Sequence, residues 1–266
     1  MENKIRVIVA GALGKMGRET LKAVNADKEL ELVGAADVKF SDANMKEEGI
    51  LAGLNIPCYP DLERLINEVK PDVMVDFTNP QAVFGNAKIA LQNKITCVIG
   101  TTGLKDIELE QLEKLAYANE TGVAVIPNFA IGAVLMMKFA REAAEYFSDV
   151  EIIELHHDQK MDAPSGTAIK TAELINERWG IRPPRAVREL EKIPGCRGGN
   201  LGNIRIHSVR LPGLVAHQEV IFGGPGQSLT IRHDSFDRAG FMPGVVMVIK
   251  KMAGRKGLVY GMENLL

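Results

Sequence analysis

Two adjacent histidines, a lysine three residues on and a Ser-Gly-Thr turn crowd into ELHHDQKMDAPSGTA, residues 154–168. Imidazoles exchange protons near neutral pH, and an ammonium both attracts anions and stabilises developing negative charge. His156, His157 and Lys160 therefore supply proton donors and cations for an anionic substrate. Pro164 breaks the preceding chain and Ser165 can cap the amphipathic run that follows. Ser165, Gly166 and Thr167 thus offer unpaired N–H groups and two hydroxyls at the positive end of a helix dipole. Such a turn is either a carboxylate cradle or an ordinary capped helix, and the neighbouring histidines and lysine favour the cradle. Zinc chelation by the histidine pair is disfavoured, because neighbours on a strand point to opposite faces.

The second group of interest is GALGKMG, with glycines at 11, 14 and 17. Gly11 suits a tight turn, Gly14 close approach of backbone to a pyrophosphate, and Gly17 tight helix packing, with phosphate facing the N–H groups of the helix start. The spacing differs by one residue from the commoner dinucleotide pattern. Its context strengthens it, since the loop leaves a strand, opens a helix, and is followed by an acid, Asp37, 20 residues beyond Gly17. Asp37 could accept from both hydroxyls of an adenosine ribose, which favours NADH. Lys39 could attract the 2'-phosphate of NADPH, or be an ordinary solvated loop lysine.

Elements that must carry these groups alternate through the first half. Apolar runs at 5–10, 30–36, 73–78, 95–103 and within VAVIPNF read as strands, and 15–25, 61–69, a segment after Asn79-Pro80, and 106–119 as helices. This alternation predicts an α/β fold, a Rossmann-like doubly wound parallel sheet with ligands at the carboxyl ends of its strands. Beyond Phe129 the pattern changes to a long helix at 133–147 and strands at 150–157, 205–211, 216–222 and 228–234. These predict a second α+β domain with a mixed sheet. The expected boundaries are 1–127 with 238–266 for the dinucleotide-binding domain and 128–237 for the domain of substrate binding and oligomerisation. Residues 182–203, rich in Pro and Gly, read as a long loop, and a helix at 245–253 returns toward the first sheet. Met136, Met137 and Phe139 read as core. His207, His217 and His233 read as histidines satisfied by local hydrogen bonds, and Arg210, which could support the substrate site, is not assigned to it.

Balanced charge, with 32 basic and 34 acidic residues among 266, offers no footprint for nucleic acid or an anionic membrane. Small molecules are the expected partners. Cys58, Cys97 and Cys196 are odd in number and lie outside any Cys-x-x-Cys pair, so free thiols in a reducing cytoplasm are expected, with neither disulfides nor a metal site. No apolar run reaches membrane-spanning length.

GALGKMG, VDFTNP, VIGTTG, PNFAIGA, ELHHDQKMDAPSGTA, HSVRLPG and FMPGV occur in an order that resembles the 4-hydroxy-tetrahydrodipicolinate reductase (dihydrodipicolinate reductase) family over nearly the whole chain. The resemblance implies reduction of a cyclic dicarboxylate imine by NADH or NADPH on the diaminopimelate route to lysine. It places Gly11, Ala12, Leu13, Gly14, Lys15 and Met16 at the pyrophosphate and Asp37 and Lys39 at the ribose. Gly100, Thr101 and Thr102 would lie on the nicotinamide side, approached also by Pro127, Asn128, Phe129 and Ala130. His156 would be proton donor or acceptor and Lys160 proton donor, with His157, Gly166 and Thr167 holding the substrate and Ser165 helping. It further implies a homotetramer through the second sheet, whose edges must be covered. Some members carry an acid followed directly by arginine where this chain has Asp37-Val38-Lys39, so use of both cofactors is expected. Two other readings stand beside this one: another two-domain dehydrogenase, such as an aspartate dehydrogenase, which leaves Lys160 and the Ser-Gly-Thr turn unexplained, and a dinucleotide-binding regulator without turnover, which leaves His156 and Lys160 unused.

Overall fold

A computed structural model describes residues 4–41, 54–180 and 190–266, so the part of the expected loop at 182–189 lies outside the described residues. The chain divides into two compact units, Met1–Phe129 with Phe241–Leu266, and Ala130–Gly240.

In the first unit, strand β1 (Ile5–Ala10) leads through the glycine loop to helix α1 (Lys15–Ala26) and then β2 (Leu30–Ala36) and the two-residue β3 (Cys58–Tyr59). Helix α2 (Leu62–Val69) starts where the Asp61 carboxylate accepts from the amides of Glu63 and Arg64 at 2.9 and 3.1 Å, satisfying two donors that a helix start leaves unpaired. β4 (Val73–Asp76), α3 (Val83–Gln92), β5 (Thr96–Ile99), α4 (Asp106–Ala118) and β6 (Gly122–Val125) complete the alternation. The strands are short and buried on both faces, as parallel strands under helices must be. Side chains such as Ile8, Met74, Ile99 and Leu112 are fully enclosed, each contributing roughly 1.5–3 kcal/mol of burial.

The second unit begins with α5 (Ile131–Ala143), β7 (Asp149–His156) and α6 (Gly166–Trp179), followed by β8 (Gly199–Leu201), β9 (Ile204–Arg210), β10 (Ala216–Gly224) and β11 (Gln227–Ser235). The tail then supplies α7 (Met242–Met252) and β12 (Gly257–Tyr260) to the first unit. Its sheet is ordered β12-β6-β5-β4-β1-β2-β3, with every recorded pairing parallel. The second sheet is ordered β11-β10-β7-β9-β8, parallel between β7 and β9 and antiparallel elsewhere. The expected fold class is the one observed.

Details differ where local chemistry overrides pattern. The segment at 73–78 stops being strand at Asp76, and that at 95–103 stops at Ile99. The helix after Asn79-Pro80 begins only at Val83, because the Asn79 side chain accepts from the amides of Gln81 and Ala82 in a preceding turn. His157 lies one residue beyond β7. Met136 and Met137 are buried, but Phe139 is 48% exposed: buried positions 133, 134, 136, 137 and 140 lie on one stripe of α5, and Phe139 projects from another.

Candidate active site

The order of the first sheet reverses between β1 and β4, since the chain runs from β1 outward to β2 and β3 on one side and returns to β4 on the other. A cavity of about 250 Å³ opens at this point, lined by Gly11, Gly14, Asp37 and Lys39 on the β1–β2 side and by Phe77, Thr78, Asn79 and Asn86 on the β4 side. Open α/β sheets bind ligands in this position.

The glycine loop is held from within the chain. Gly11 has φ +75°, and a Cβ there would fall 2.5 Å from the Phe77 carbonyl oxygen; a Cβ on Gly17 would fall 2.1 Å from the Gly11 carbonyl oxygen. Ala12 is buried and its amide donates to the Ala36 carbonyl. The Leu13 amide donates to Asp37 Oδ2 at 2.9 Å, and the Lys39 amide to Asp37 Oδ1 at 3.0 Å. Asp37 thus braces the loop with one lone pair on each oxygen and keeps acceptor capacity for a ribose. Gly14 occupies the N-cap of α1 and provides no side-chain cap, which suits the first-turn amides of Lys15 and Met16 to an anion.

Asp76, fully buried at the end of β4, accepts from the Thr78 amide and hydroxyl, from Asn86 Nδ2 and from Thr101 Oγ1 at 2.7–2.9 Å. It joins the cavity wall to Thr101. Gly100 is glycine because a Cβ would lie 2.1 Å from the Phe77 ring, whose other neighbour is Phe129 at a centroid distance of 5.6 Å. Gly100 and Phe129 pack against Phe77, which lines the cavity, and do not line it themselves. Exposed Thr102 and Pro127, and Asn128, do not line the cavity. Ala130 takes the N-cap position of α5 in the second unit.

In the second unit, β7 alternates Val150, Ile152, Glu154 and His156 onto the face that meets α6. Glu154 has 0% exposure, yet it is a charged group. Arg210 meets it in fork geometry, Nη1 to Oε2 at 2.9 Å and Nη2 to Oε1 at 2.8 Å. His156 Nδ1 lies 2.5 Å from Oε2, and the Ser165 amide donates to Oε1 at 3.2 Å. Burial works to raise the Glu154 pKa, but hydrogen bonds from Arg210, Ser208 and His156 hold it below the usual carboxylate value. Burial pushes the His156 pKa down against the pull of Glu154, and the Lys160 and Arg210 cations push the same way as burial. Both groups are accordingly in their Glu⁻ and neutral His forms at neutral pH.

Ser165 caps α6, its Oγ accepting from the Ala168 amide at 3.2 Å. Gly166 begins the helix, and a Cβ there would meet open space, so nothing in the chain itself demands glycine. Thr167 stands beside it in the first turn. Lys160 reaches both oxygens of Asp162 at 2.7 and 2.8 Å, and the main chain of Asp162 accepts from Arg210 Nη2 at 2.7 Å. His157 is exposed, its carbonyl closing a turn onto the Lys160 amide at 3.2 Å. The six residues singled out by the opening stretch therefore cluster between the end of β7 and the start of α6. Sequence reasoning missed Glu154 and Asp162 here, and Phe77, Thr78 and Asn86 at the cavity, and it named Arg210 without assigning it to the site. A glutamate on an otherwise apolar strand face was the available signal. Of the histidines left aside, His207 pairs with Glu151 and His217 with Asp234. Among the described residues no group of His, Cys, Asp or Glu could hold a metal, and no helix is long and apolar enough to cross a membrane.

Comparison with known proteins covers both units. Residues 5–129 match the family described as dihydrodipicolinate reductase, N-terminus, and residues 132–266 the family described as dihydrodipicolinate reductase, C-terminus. A protein of Syntrophomonas wolfei named 4-hydroxy-tetrahydrodipicolinate reductase is 70% identical over 266 residues, covering 100% of each chain. One of Geobacillus kaustophilus with the same name is 51% identical, covering 98% of this chain and 99% of its own. The solved structure of a dipicolinate-bound dihydrodipicolinate reductase from Paenisporosarcina sp. TG-14 superposes with TM-score 0.91 at 49% identity, covering 99% of this chain and all of that one. An amine dehydrogenase from Mycobacterium smegmatis, at 13% identity and TM-score 0.67, shares the fold alone.

Proposed function

The chain belongs to the dihydrodipicolinate reductase family, and from that premise we propose how its residues divide the work of the reaction. The activity is that of a 4-hydroxy-tetrahydrodipicolinate reductase, an NAD(P)H-dependent step in the diaminopimelate route to lysine. The first unit is the dinucleotide-binding domain and the second the domain of substrate binding and oligomerisation.

The cavity at the β1–β4 reversal, the positive φ of Gly11 and the helix start without a side-chain cap fit a dinucleotide. Gly11, Ala12, Leu13, Gly14, Lys15 and Met16 hold the pyrophosphate. Asp37 takes the ribose hydroxyls of NADH, and Lys39, in the same cavity lining, the 2'-phosphate of NADPH, so both cofactors serve. Gly100, Thr101 and Thr102, with the backbone of Pro127, Asn128, Phe129 and Ala130, hold the nicotinamide side. The bound dinucleotide supplies the hydride. The protein's own residues meet the substrate: Gly166 and Thr167 at the α6 start and His157 hold its carboxylates, with Ser165 shaping the turn. Lys160 protonates the ring as negative charge builds on it, and His156 exchanges protons beside it. Buried Glu154 carries this assignment, because it gathers His156, the α6 start and Arg210 around one carboxylate.

Assembly is proposed through the second sheet. Glu154 and Gln218 reach α6 from one face; alternate residues Ile153, Leu155, Val209 and Ile221 point to the other, and each is only partly buried in the single chain. A homotetramer built on that face covers them, and the protein works in the cytoplasm. Light scattering of the pure protein at four times the chain mass supports the assembly; monomer mass overturns it.

Activity is tested by generating substrate in place with the preceding synthase from pyruvate and aspartate semialdehyde and following loss of reduced nicotinamide. Wild type is expected to turn over with both NADH and NADPH, Lys39→Ala to lose about tenfold in kcat/KM for NADPH alone, and Lys160→Ala and His156→Ala to lose turnover while still binding NADH. Full activity in both of the last two variants overturns the assignment of roles.

A further inference from the structure

Glu154 is the least expected residue in the second unit, a carboxylate with 0% exposure on a strand whose same-face neighbours include Val150 and Ile152. It does not reach the ligand space itself. Four partners meet it: the Arg210 guanidinium and the Ser208 side chain from β9, the Ser165 amide at the mouth of α6, and the His156 ring two residues along its own strand. An ionised carboxylate only accepts hydrogen bonds. The ring nitrogen 2.5 Å from it must therefore be the one that carries hydrogen.

We infer that Glu154 is a positioning residue that fixes His156 as the Nδ1–H tautomer, so that the neutral ring presents an Nε2 lone pair as a hydrogen-bond acceptor toward the substrate, leaving Lys160 as the proton donor. A second ring hydrogen bond sets histidine tautomer in this way in many sites. The same carboxylate registers the catalytic ring against the substrate cradle, because its other oxygen holds the residue that caps α6. Arg210 extends the frame to the segment that carries Lys160, through the Asp162 carbonyl. Arg210 matters for a further reason: by neutralising Glu154 it keeps the carboxylate from holding a permanent imidazolium beside it. The charged groups facing His156 are Glu154 on its own strand, Arg210 on β9 and Lys160 on the following turn, while β10 places uncharged Ala216 opposite it. This inference rests on the placement of His156 at the reacting end of the substrate site.

Two-bond proton–nitrogen NMR correlation on protein carrying ¹⁵N-histidine reads the tautomer directly, with the His156 signals identified by their loss in His156→Gln. The wild type at neutral pH is expected to show a protonated Nδ1 and an unprotonated Nε2. A protonated Nε2 in the neutral ring overturns the proposal, and this arm requires no change at Glu154. In Glu154→Gln the titration of His156 is expected to move to lower pH, because the charge and hydrogen bond that favour its protonated form are gone. The pH profile of kcat should move with it, and kcat should fall roughly tenfold to a hundredfold with NADH affinity unchanged. A folded Glu154→Gln with unmoved His156 titration sinks the idea, since loss of packing alone would lower activity without shifting a pH profile. If instead the NMR arms succeed but His156→Gln is fully active, the tautomer assignment stands and it is the catalytic placement of His156 that fails.

Discussion

Arg210 and Glu154 form a two-pronged ion pair, at 2.8 and 2.9 Å, with the carboxylate wholly enclosed. Removing one partner of a buried pair leaves the other charge without compensation, which costs far more than the net worth of the pair. Arg210→Ala is expected to lower the stability of the second unit by about 3 kcal/mol, the low end for a broken buried pair, because the Arg210 side chain keeps 19% exposure. The chain's single tryptophan, Trp179, lies in α6 and bonds the Ala144 and Phe147 carbonyls, so its fluorescence in urea reports this unit. The double variant Glu154→Met with Arg210→Met should recover most of the lost stability without recovering activity. Equal destabilisation in single and double variants would count against a charge effect.

Glycines divide into those the fold demands and those it tolerates. A methyl group on Gly17 has no room, lying 2.1 Å from a backbone oxygen of the phosphate loop, whereas one on exposed Gly85 in α3 meets nothing within 4 Å. Gly17→Ala is expected to shift the loop, lose about 1–3 kcal/mol and abolish NADH binding measured by fluorescence titration. Gly85→Ala should gain up to about 1 kcal/mol from helix propensity and bind NADH as before. Equal NADH affinity in both variants would show that the loop packing is not what shapes the site.

How much of this arrangement could be read from the chain follows from how local its causes are. The Rossmann-like half was legible because buried parallel strands and amphipathic helices announce themselves by period, and because Gly11, Gly14, Gly17 and Asp37 sit within one strand-loop-helix-strand unit. β12 was not, since Gly257–Tyr260 offers four residues and gains its place by pairing with β6, more than 130 residues away. The late start of α3 depends on the side-chain bonds of Asn79, and a proline signal alone places it too early. In the second unit the residues near the cradle were found from their types. Arg210 could be named but not assigned, because its meeting with Glu154, 56 residues earlier, requires the register in which His156 pairs with Arg210 across β7 and β9. A charged residue on an apolar strand face signals that a partner exists without saying where it lies.

Gly166 offers a test that separates substrate binding from stability. It opens α6, where alanine is the better helix former by about 1 kcal/mol, and a methyl group there meets open space in the chain itself. If a substrate carboxylate approaches the first-turn amides, the methyl occupies ground the ligand needs. Gly166→Ala is expected to leave the urea midpoint equal or higher while KM for the dicarboxylate rises about tenfold or more, a loss of roughly 1.4 kcal/mol in binding, with KM for NADH unchanged. An unchanged substrate KM would remove the α6 start from the binding site.

Acid should unfold the second unit in two stages. Burial lowers the pKa of His156 and of His233 below the ordinary histidine value of 6.5, so the unfolded chain binds protons more readily than the folded one once pH falls past that value. The stability these two contribute is complete above pH 6.5 and is lost as pH drops through their folded values. A later stage belongs to carboxylates held low by basic partners. The Arg197 hydrogen bond depresses Glu151, Lys160 depresses Asp162 and Arg232 depresses Asp234. Arg210 also lowers Glu154 despite its burial. Their contribution is complete above their ordinary values of 4.5 for Glu and 3.8 for Asp and is lost as pH falls from there through their lower folded values. Trp179 fluorescence in urea, measured at a series of pH values, should show a first decline in stability beginning near pH 6.5 and a steeper one below about pH 4.5. In the double variant His156→Gln with His233→Gln the first decline should vanish and the second remain. A first decline that persists in that variant would place its protons elsewhere than on His156 and His233.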